Sequence, residues 1–373
     1  MMRRFFKLLL NKKYDFSFFL LMSCIFAVGI LNLYSAIQGG GKEHLQYLYK
    51  TQIMWYMISF GVGFLISFFR PKTFFRYSYA IYFFNCILLL LVLVAGTHVM
   101  GAKRWLSIGP FRLQPSEMMK LSAVLALSRW FSRRNPESPV GIKELIIPAL
   151  MAGIPAVMII VQPDLGTGLL ILLIFSMMTF YRRIAWKVIG ILGICALISG
   201  GVMYKFGLKD YQRQRITTFL DPWGDALGSG YNAIQSEIAI GSGQIWGKGF
   251  KKSSQGSLSY LPENHTDFVF SIYNEEHGLV GAFLLILLYV FYLLRHVYLA
   301  TAAGTLYESL VVIGCMSILF FHTFINMAMV TGLLPIVGIP LPLVSYGGSS
   351  LLTFGVACGL VTSISNARLF FRD

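Results

Sequence analysis

Long apolar stretches recur along the whole chain and leave few alternatives to a helical membrane protein. Ten such stretches lie near residues 16–37, 51–69, 77–96, 117–130, 145–161, 165–181, 188–204, 268–294, 309–330 and 345–364. A helix needs roughly 20 apolar residues to cross a bilayer. Charged residues make up only 13% of the chain, which excludes an ordinary soluble enzyme and a disordered chain. We therefore predict an all-α polytopic membrane protein with ten transmembrane helices.

Basic clusters between the apolar stretches predict the orientation of the helices. The positive-inside tendency assigns three clusters to the cytoplasmic side, namely Arg70/Lys72/Arg76, Arg129/Arg133/Arg134 and Arg182/Arg183/Lys187. An even number of crossings then separates each pair of clusters, so even the short, charged stretch 117–130 must cross. Both termini are therefore predicted to be cytoplasmic. The net charge of +15 mostly faces the anionic inner leaflet, and nucleic-acid binding is not needed to explain it.

The connection 205–266 is much longer than the others and falls between the seventh and eighth predicted helices, on the extracytoplasmic side. Its glycines predict turns and short helices. We interpret 1–373 as one transmembrane domain that contains this long loop. Because the outer connections mix carboxylates with cations while the inner ones hold mainly basic anchoring residues, any chemistry is expected to face outward.

Asp267 is the first candidate site residue. It lies in LPENHTDFVF, residues 261–270, where Thr266 can cap the eighth helix and the helix dipole favours a carboxylate in the first turn. A second interpretation is a functional polar stripe, since polar residues on an apolar helix must face the bundle interior or a wet cavity. The stripe comprises Asp267, Ser271, Asn274, Glu275 and Gly278. The residues alone favour neither interpretation.

Further polar candidates lie at predicted outer helix ends. Glu117 and Lys120 are three residues apart on the fourth helix and can pair, and for Glu117 a structural role is favoured. Arg104, close by, suits a phosphate group. Asp164, in QPDLGT at 162–167, can cap the following helix, and a pair with Lys120 would serve structure and function alike.

The remaining candidates lie in the long loop and the last outer connection. Arg213 and Arg215 are either headgroup anchors or substrate contacts, and their outward location argues against anchoring. Asn326 precedes the connection 332–350, which is apolar yet rich in helix breakers. Irregular backbone at membrane depth requires cover by protein or a cavity. The cysteines and histidines show no metal-ligand spacing, so each histidine is interpreted as a polar loop or bundle residue.

Six ordered motifs resemble the shape, elongation, division and sporulation (SEDS) family, and its elongation branch more than its division branch. They are QPSE at 114–117, QPDLGT at 162–167, RITTFLDPW at 215–223, GSGYNAIQS at 228–236, LPENHTDFVF at 261–270 and GLLPIVGIPLPLVSYGG at 332–348. The resemblance implies a peptidoglycan glycosyltransferase that polymerises lipid II into β-1,4 glycan strands at the outer leaflet of the bacterial cytoplasmic membrane. It also implies a class B penicillin-binding protein and other elongation-machinery proteins as partners. The implied essential carboxylate is Asp267, and the implied lining or supporting residues are Glu117, Lys120, Arg104 and Asp164.

The expected chemistry is glycosyl transfer with inversion, in which Asp267 acts as general base on the acceptor 4-hydroxyl. Undecaprenyl pyrophosphate leaves, so cations are needed beside it, with Mg²⁺ or Mn²⁺ as a candidate cofactor. The candidate cations are Arg104, Lys120, Arg213 and Arg215. A transporter or flippase of lipid-linked precursors is the main alternative, because broken helices and intramembrane charge suit it too. A structural scaffold is the third hypothesis.

Overall fold

The computed structural model describes residues 14–38, 47–99, 102–108, 111–135, 138–202, 210–257 and 265–370, so the predicted long loop falls partly outside it, at 203–209 and 258–264. Most of the described chain is helical. The helices are α1 (Ser17–Gln38), α2 (Tyr47–Ser67), α3 (Pro71–Ala95), α4 (Pro115–Ser132), α5 (Ile142–Val161), α6 (Leu165–Tyr181), α7 (Trp186–Val202), α8 (Asp210–Leu220), α9 (Tyr231–Ser242), α10 (Ser254–Ser257), α11 (Val269–Ala302), α12 (Leu306–Val330) and α13 (Gly348–Phe370).

Each apolar stretch of the sequence corresponds to a helix, namely one of α1–α7 or α11–α13. Among the described residues, six helices are long and apolar enough to cross a membrane: α1, α3, α5, α11, α12 and α13. A shorter apolar helix is α6. These helices make the chain a multi-pass membrane protein.

The helix α4 is enclosed by protein, which explains why its sequence is the least apolar of the ten stretches. It packs against α3, α6 and α12, and most of its side chains are buried, Glu117 and Lys120 included. In contrast, α3 and α5 expose large apolar side chains such as Phe83 and Leu150. A helix surrounded by other helices can carry charges that a lipid-facing helix cannot, provided that partners lie within the bundle.

A small antiparallel sheet lies between α3 and α4, where the sequence predicted only a connection. Its strands are β1 (Thr97–Val99), β2 (Ala102–Ile108) and β3 (Phe111–Leu113), in the order β1-β2-β3. Thr97 pairs with Trp105, and Leu106 pairs with Leu113. The sheet brings Arg104, on the central strand, beside the start of α6.

The helix α11 is broken at Gly278, whose φ is +63°. The N–H groups of Leu279 and Val280 donate to the carbonyls of Gln244 and Ile245 at 2.9 and 3.1 Å, instead of to carbonyls of their own helix. On the other side of the break, the carbonyls of residues 275 and 276 accept from the N–H groups of residues 248 and 249, at 2.9 and 3.0 Å. The segment 243–249 thus fills the break and satisfies its backbone.

The predicted polar stripe of α11 contacts this long segment. Ser271 Oγ lies 2.7 Å from Ser236 Oγ on α9, and Asn274 Nδ2 donates to the carbonyl of its own helix at residue 270 (2.7 Å). Glu275 is fully buried and forms an ion pair with Lys248 at 2.6 Å. It also accepts hydrogen bonds from residues 253, 254 and 255. Ser271 and Glu275 therefore hold the 231–257 segment on the bundle.

Glu275→Ala is expected to loosen residues 248–257, because Lys248 and several hydroxyl and amide donors lose their acceptor. Breaking a buried ion pair costs about 3 kcal/mol or more, so the Tm in detergent should fall by at least about 5 °C. Limited proteolysis within 248–257 should accelerate. Glu308→Ala, in the first turn of α12, is the control. Wild-type Tm and proteolysis in Glu275→Ala would contradict the anchoring role.

Candidate functional site

The chain that leads to Asp267 is fixed by hydrogen bonds from the connection between α12 and α13. The N–H of Tyr346 donates to the carbonyl of His265 at 2.9 Å, and the hydroxyl of Ser345 donates to the carbonyl of Thr266 at 2.5 Å. Two successive carbonyls are therefore bound by one connection, which holds residues 265–268 in a turn ahead of α11.

Asn326 on α12 joins this turn to the same connection. Its buried side-chain amide donates to the carbonyl of Asp267 at 2.9 Å and to the carbonyl of Ile339 at 2.7 Å. Within the described residues, no hydrogen bond reaches its Oδ1. Buried acceptors normally have a partner, and an enclosed water molecule is the usual one.

The Asp267 side chain is partly exposed and lies against Gly338. Gly338 has a φ of +73°, and a Cβ at this position would lie 3.2 Å from Asp267 Oδ2. The predicted cap by Thr266 is wrong, because α11 begins at Val269 with Phe268 as its N-cap and without a side-chain cap. The tertiary hydrogen bonds to residues 265–267 displace the helix start, so Asp267 precedes the first turn.

A buried chain of polar contacts supports this connection from the bundle side. Lys120 Nζ lies 2.7 Å from Glu117 Oε1, as the spacing predicted, and 2.6 Å from His322 Nε2. Since an ammonium group only donates, Nε2 accepts and the proton of His322 is assigned to Nδ1. His322 Nδ1 then donates to the carbonyl of Pro340 at 3.3 Å.

Asp164 caps α6 and does not pair with Lys120. Its carboxylate accepts from the N–H of Thr167 at 3.2 Å and from the side-chain amide of Gln114 at 3.3 Å. The capping prediction is confirmed, whereas the hypothesis of an Asp164–Lys120 pair is wrong because Lys120 lies between Glu117 and His322.

Arg104 is half-buried against the turn that precedes α6. Its guanidinium donates to the carbonyl of Gln162 at 3.3 Å and to the carbonyl of Pro163. The same turn packs on the last connection, since a Cβ on Gly166 would lie 3.1 Å from Ile339. Arg104, the 162–167 turn and the residues around Asp267 therefore form one continuous group.

The other two cations lie elsewhere. Arg213 and Arg215 are exposed on α8, and Arg215 lines a cavity of about 320 Å³ bounded by α8, α9 and residues 332–336. Hydrogen bonds from the backbone and hydroxyl of Ser229 hold the pKa of Asp225 below its usual range, and Ser229 lines the same cavity. Ser271, Asn274 and Glu275 contact the long segment instead of Asp267.

Sequence reasoning missed His322 and Gly338. His322 was interpreted as an ordinary bundle residue, but it precedes Asn326 by one helical turn and so shares its face with a site candidate. That spacing, together with a lysine that needs a buried partner, is the signal that could have identified it. Among the described residues, no group of three His, Cys, Asp or Glu side chains could hold a metal ion.

Lys120→Met is expected to destabilise the protein by about 3–5 kcal/mol, because the Glu117 carboxylate would remain buried without its cation. Adding Glu117→Gln should recover much of this loss, since the charge is then removed with its partner. Thermal unfolding of both single variants and the double variant measures the coupling. Strictly additive losses would show that the pair does not interact.

Comparison with known proteins places the chain in a family. The family model for FtsW, RodA and SpoVE, described as cell cycle proteins, matches residues 15–369. The peptidoglycan glycosyltransferase MrdB of Escherichia coli (strain K12) is 40% identical over 298 residues, which cover 80% of each chain.

Solved structures agree with the sequence match. The Rod shape determining protein RodA of Thermus thermophilus has a TM-score of 0.71 at 29% identity, with 96% of this chain and 98% of that chain covered. A chain from a peptidoglycan synthase complex that coordinates polymerization and crosslinking has a TM-score of 0.80 at 30% identity, with 96% and 99% covered. The chain therefore belongs to the FtsW, RodA and SpoVE family of cell cycle proteins.

Proposed function

We propose that this chain is a peptidoglycan glycosyltransferase that polymerises lipid II into β-1,4 glycan strands during cell elongation. The observation that carries the proposal is Asp267, whose side chain is partly exposed and whose backbone carbonyl is held by Asn326, in a relative of a named peptidoglycan glycosyltransferase. The bacterial inner membrane is the proposed location. We propose that residues 1–373 form one domain, and the hydrophobic core that extends from Tyr14 to Ile364 supports this.

In the proposed reaction, Asp267 removes the proton from the 4-hydroxyl of the acceptor sugar. The acceptor oxygen forms a bond to the anomeric carbon of the donor while the bond to undecaprenyl pyrophosphate breaks, with inversion. Sugar hydroxyls are weak nucleophiles, and general-base assistance contributes about 10²- to 10⁴-fold in rate. Asn326 would help to keep Asp267 in place, because its side-chain amide donates to the Asp267 carbonyl.

The leaving pyrophosphate requires cations, and the contacts support different roles for the candidates. Arg104 has N–H groups beyond those bound to two carbonyls, so it is proposed to contact phosphate, as is exposed Arg213. Lys120 is buried, so its proposed role is to position the Pro340 connection through His322. Supporting positions are proposed for Glu117, Asp164, Asn326, Ser271, Asn274 and Glu275.

We propose ten crossings, with both termini cytoplasmic and the Asp267 site facing outward. The helical state of all ten apolar stretches and the basic clusters at one set of connections support this topology. A class B penicillin-binding protein is the proposed partner, together with other elongation-machinery proteins. The match to a chain of a peptidoglycan synthase complex supports a partner of this kind.

The break in α11 favours the enzyme over a transporter or flippase. Alternating-access transporters usually break their helices near the midplane. The break at Gly278 lies close to one end of α11, and residues 279–302 alone remain long enough to span the bilayer. A glycan-ladder assay with purified protein and lipid II separates the hypotheses, because only a polymerase produces chains.

Asp267→Asn is expected to reduce polymerisation of lipid II by at least about 10²-fold, since the amide cannot accept the acceptor proton. Glycan chains are measured by gel electrophoresis with purified protein and its partner. Glu308→Gln serves as the control, and both variants should keep the wild-type Tm. Wild-type chain formation by folded Asp267→Asn would refute the assignment.

Gly338→Ala is expected to lower polymerisation roughly ten- to hundredfold, because its φ of +73° is strained for alanine and the new Cβ would crowd the Asp267 carboxylate. The matched control is Gly347→Ala, where a Cβ would meet only Ser350, at 3.7 Å. Equal rates for the two variants would show that the contact between Gly338 and Asp267 is unimportant.

A further inference from the structure

The cavity beside α8 has features that the proposed sugar chemistry does not use. It is bounded by α8, α9 and residues 332–336, and its volume is about 320 Å³. Its polar lining includes a cation, a carboxylate and two amides, and its apolar lining includes Phe219 and Pro335. These polar residues are Arg215, Glu237, Gln214 and Asn232.

The two opposite charges face one cavity without forming an ion pair. In the described parts of the chain, ion pairs join Lys120 to Glu117, Lys248 to Glu275 and Arg295 to Asp15, but none joins Arg215 to Glu237. Both side chains are exposed, so each remains accessible to a ligand.

The backbone makes room for the Glu237 carboxylate. Gly332, with a φ of +71°, faces Glu237 so closely that a Cβ would lie 2.3 Å from Glu237 Oε1. Two other lining residues, Thr218 and Ser229, are joined by a 2.7 Å hydrogen bond between their hydroxyls. Any residue larger than glycine at position 332 would displace the Glu237 carboxylate from this place in the cavity.

We propose that this cavity binds the peptide part of the peptidoglycan precursor, an inference that rests on the proposed function. A ligand with a carboxylate, an ammonium group and amides matches Arg215, Glu237 and the two amide side chains. A pyrophosphate alone would be repelled by Glu237. Arg215 is thereby assigned to the peptide instead of the leaving group.

The position of the cavity suits a branched substrate. Gly332 contacts Glu237 and Gly338 contacts Asp267, and both glycines belong to one connection. Six residues of chain span at most about 20 Å. A substrate whose sugar lies at Asp267 can therefore extend its peptide arm into the cavity.

The test compares lipid II with the same lipid-linked disaccharide from which the peptide has been removed, using purified full-length protein and its partner. Arg215→Ala and Glu237→Gln are expected to raise KM for intact lipid II about tenfold, with kcat within about twofold. KM for the peptide-free substrate should not change. Lys252→Ala, an exposed cation outside the cavity, is the control. Equal KM changes for both substrates, or no change for either, would overturn the proposal.

A binding measurement separates this inference from the proposed function. The free peptide of the precursor, labelled with a fluorophore, is titrated into wild type, Asp267→Asn and Arg215→Ala. Wild type and Asp267→Asn should bind equally, and Arg215→Ala about tenfold more weakly. If the peptide binds but no glycan is made, the proposed polymerase function is contradicted and the cavity assignment is not. If glycan is made but peptide binding does not depend on Arg215, the cavity assignment is contradicted and the polymerase function is not.

Discussion

Irregular backbone inside a membrane protein must find its hydrogen bonds within the protein, and the arrangement around Asp267 depends on that constraint. The turn 265–268 and the connection 337–346 satisfy each other, with Asn326 bonded to both. Neither segment is regular, yet the carbonyls of residues 265, 266 and 267 are each bound by a different donor. Because these hydrogen bonds fix the backbone of the turn, they restrict where the Asp267 carboxylate can lie. A general base requires such a defined position.

The same constraint explains the glycines at the break in α11. Four backbone groups left by the break at Gly278 are bonded to residues 244–249, which can approach only because Gly243 and Gly247 lack a Cβ: at these positions a Cβ would lie 2.1 Å from the carbonyls of Asn274 and Glu276. Glu275 then holds the following residues from within the bundle. The long segment is thus fixed to α11 by contacts that do not involve Asp267, so the two regions can be perturbed separately.

The sequence was sufficient for the helices, because the length of an apolar stretch reports directly on the thickness of the bilayer. It was insufficient wherever tertiary contacts decide between local options. Thr266 is a good capping residue. However, Tyr346 and Ser345 donate hydrogen bonds to the carbonyls of His265 and Thr266, and the helix begins only at Val269. The sequence offered both Glu117 and Asp164 as partners for Lys120. The packing of α4 on α12 determines that Lys120 contacts Glu117 and His322 instead. The roles proposed for the site residues stay predictions.

The connection between α12 and α13 borders both proposed binding regions, one for the sugar and one for the peptide. Gly332 and Gly338 both have positive φ, so each requires glycine on conformational grounds as well as for its close contact with a carboxylate. Because one short segment touches both Glu237 and Asp267, a single substrate can contact both carboxylates at once. Binding energy from the peptide then adds equally to the ground state and the transition state, which lowers KM without raising kcat. A polymerase built this way would discriminate between substrates by their peptide although the bond it forms joins two sugars.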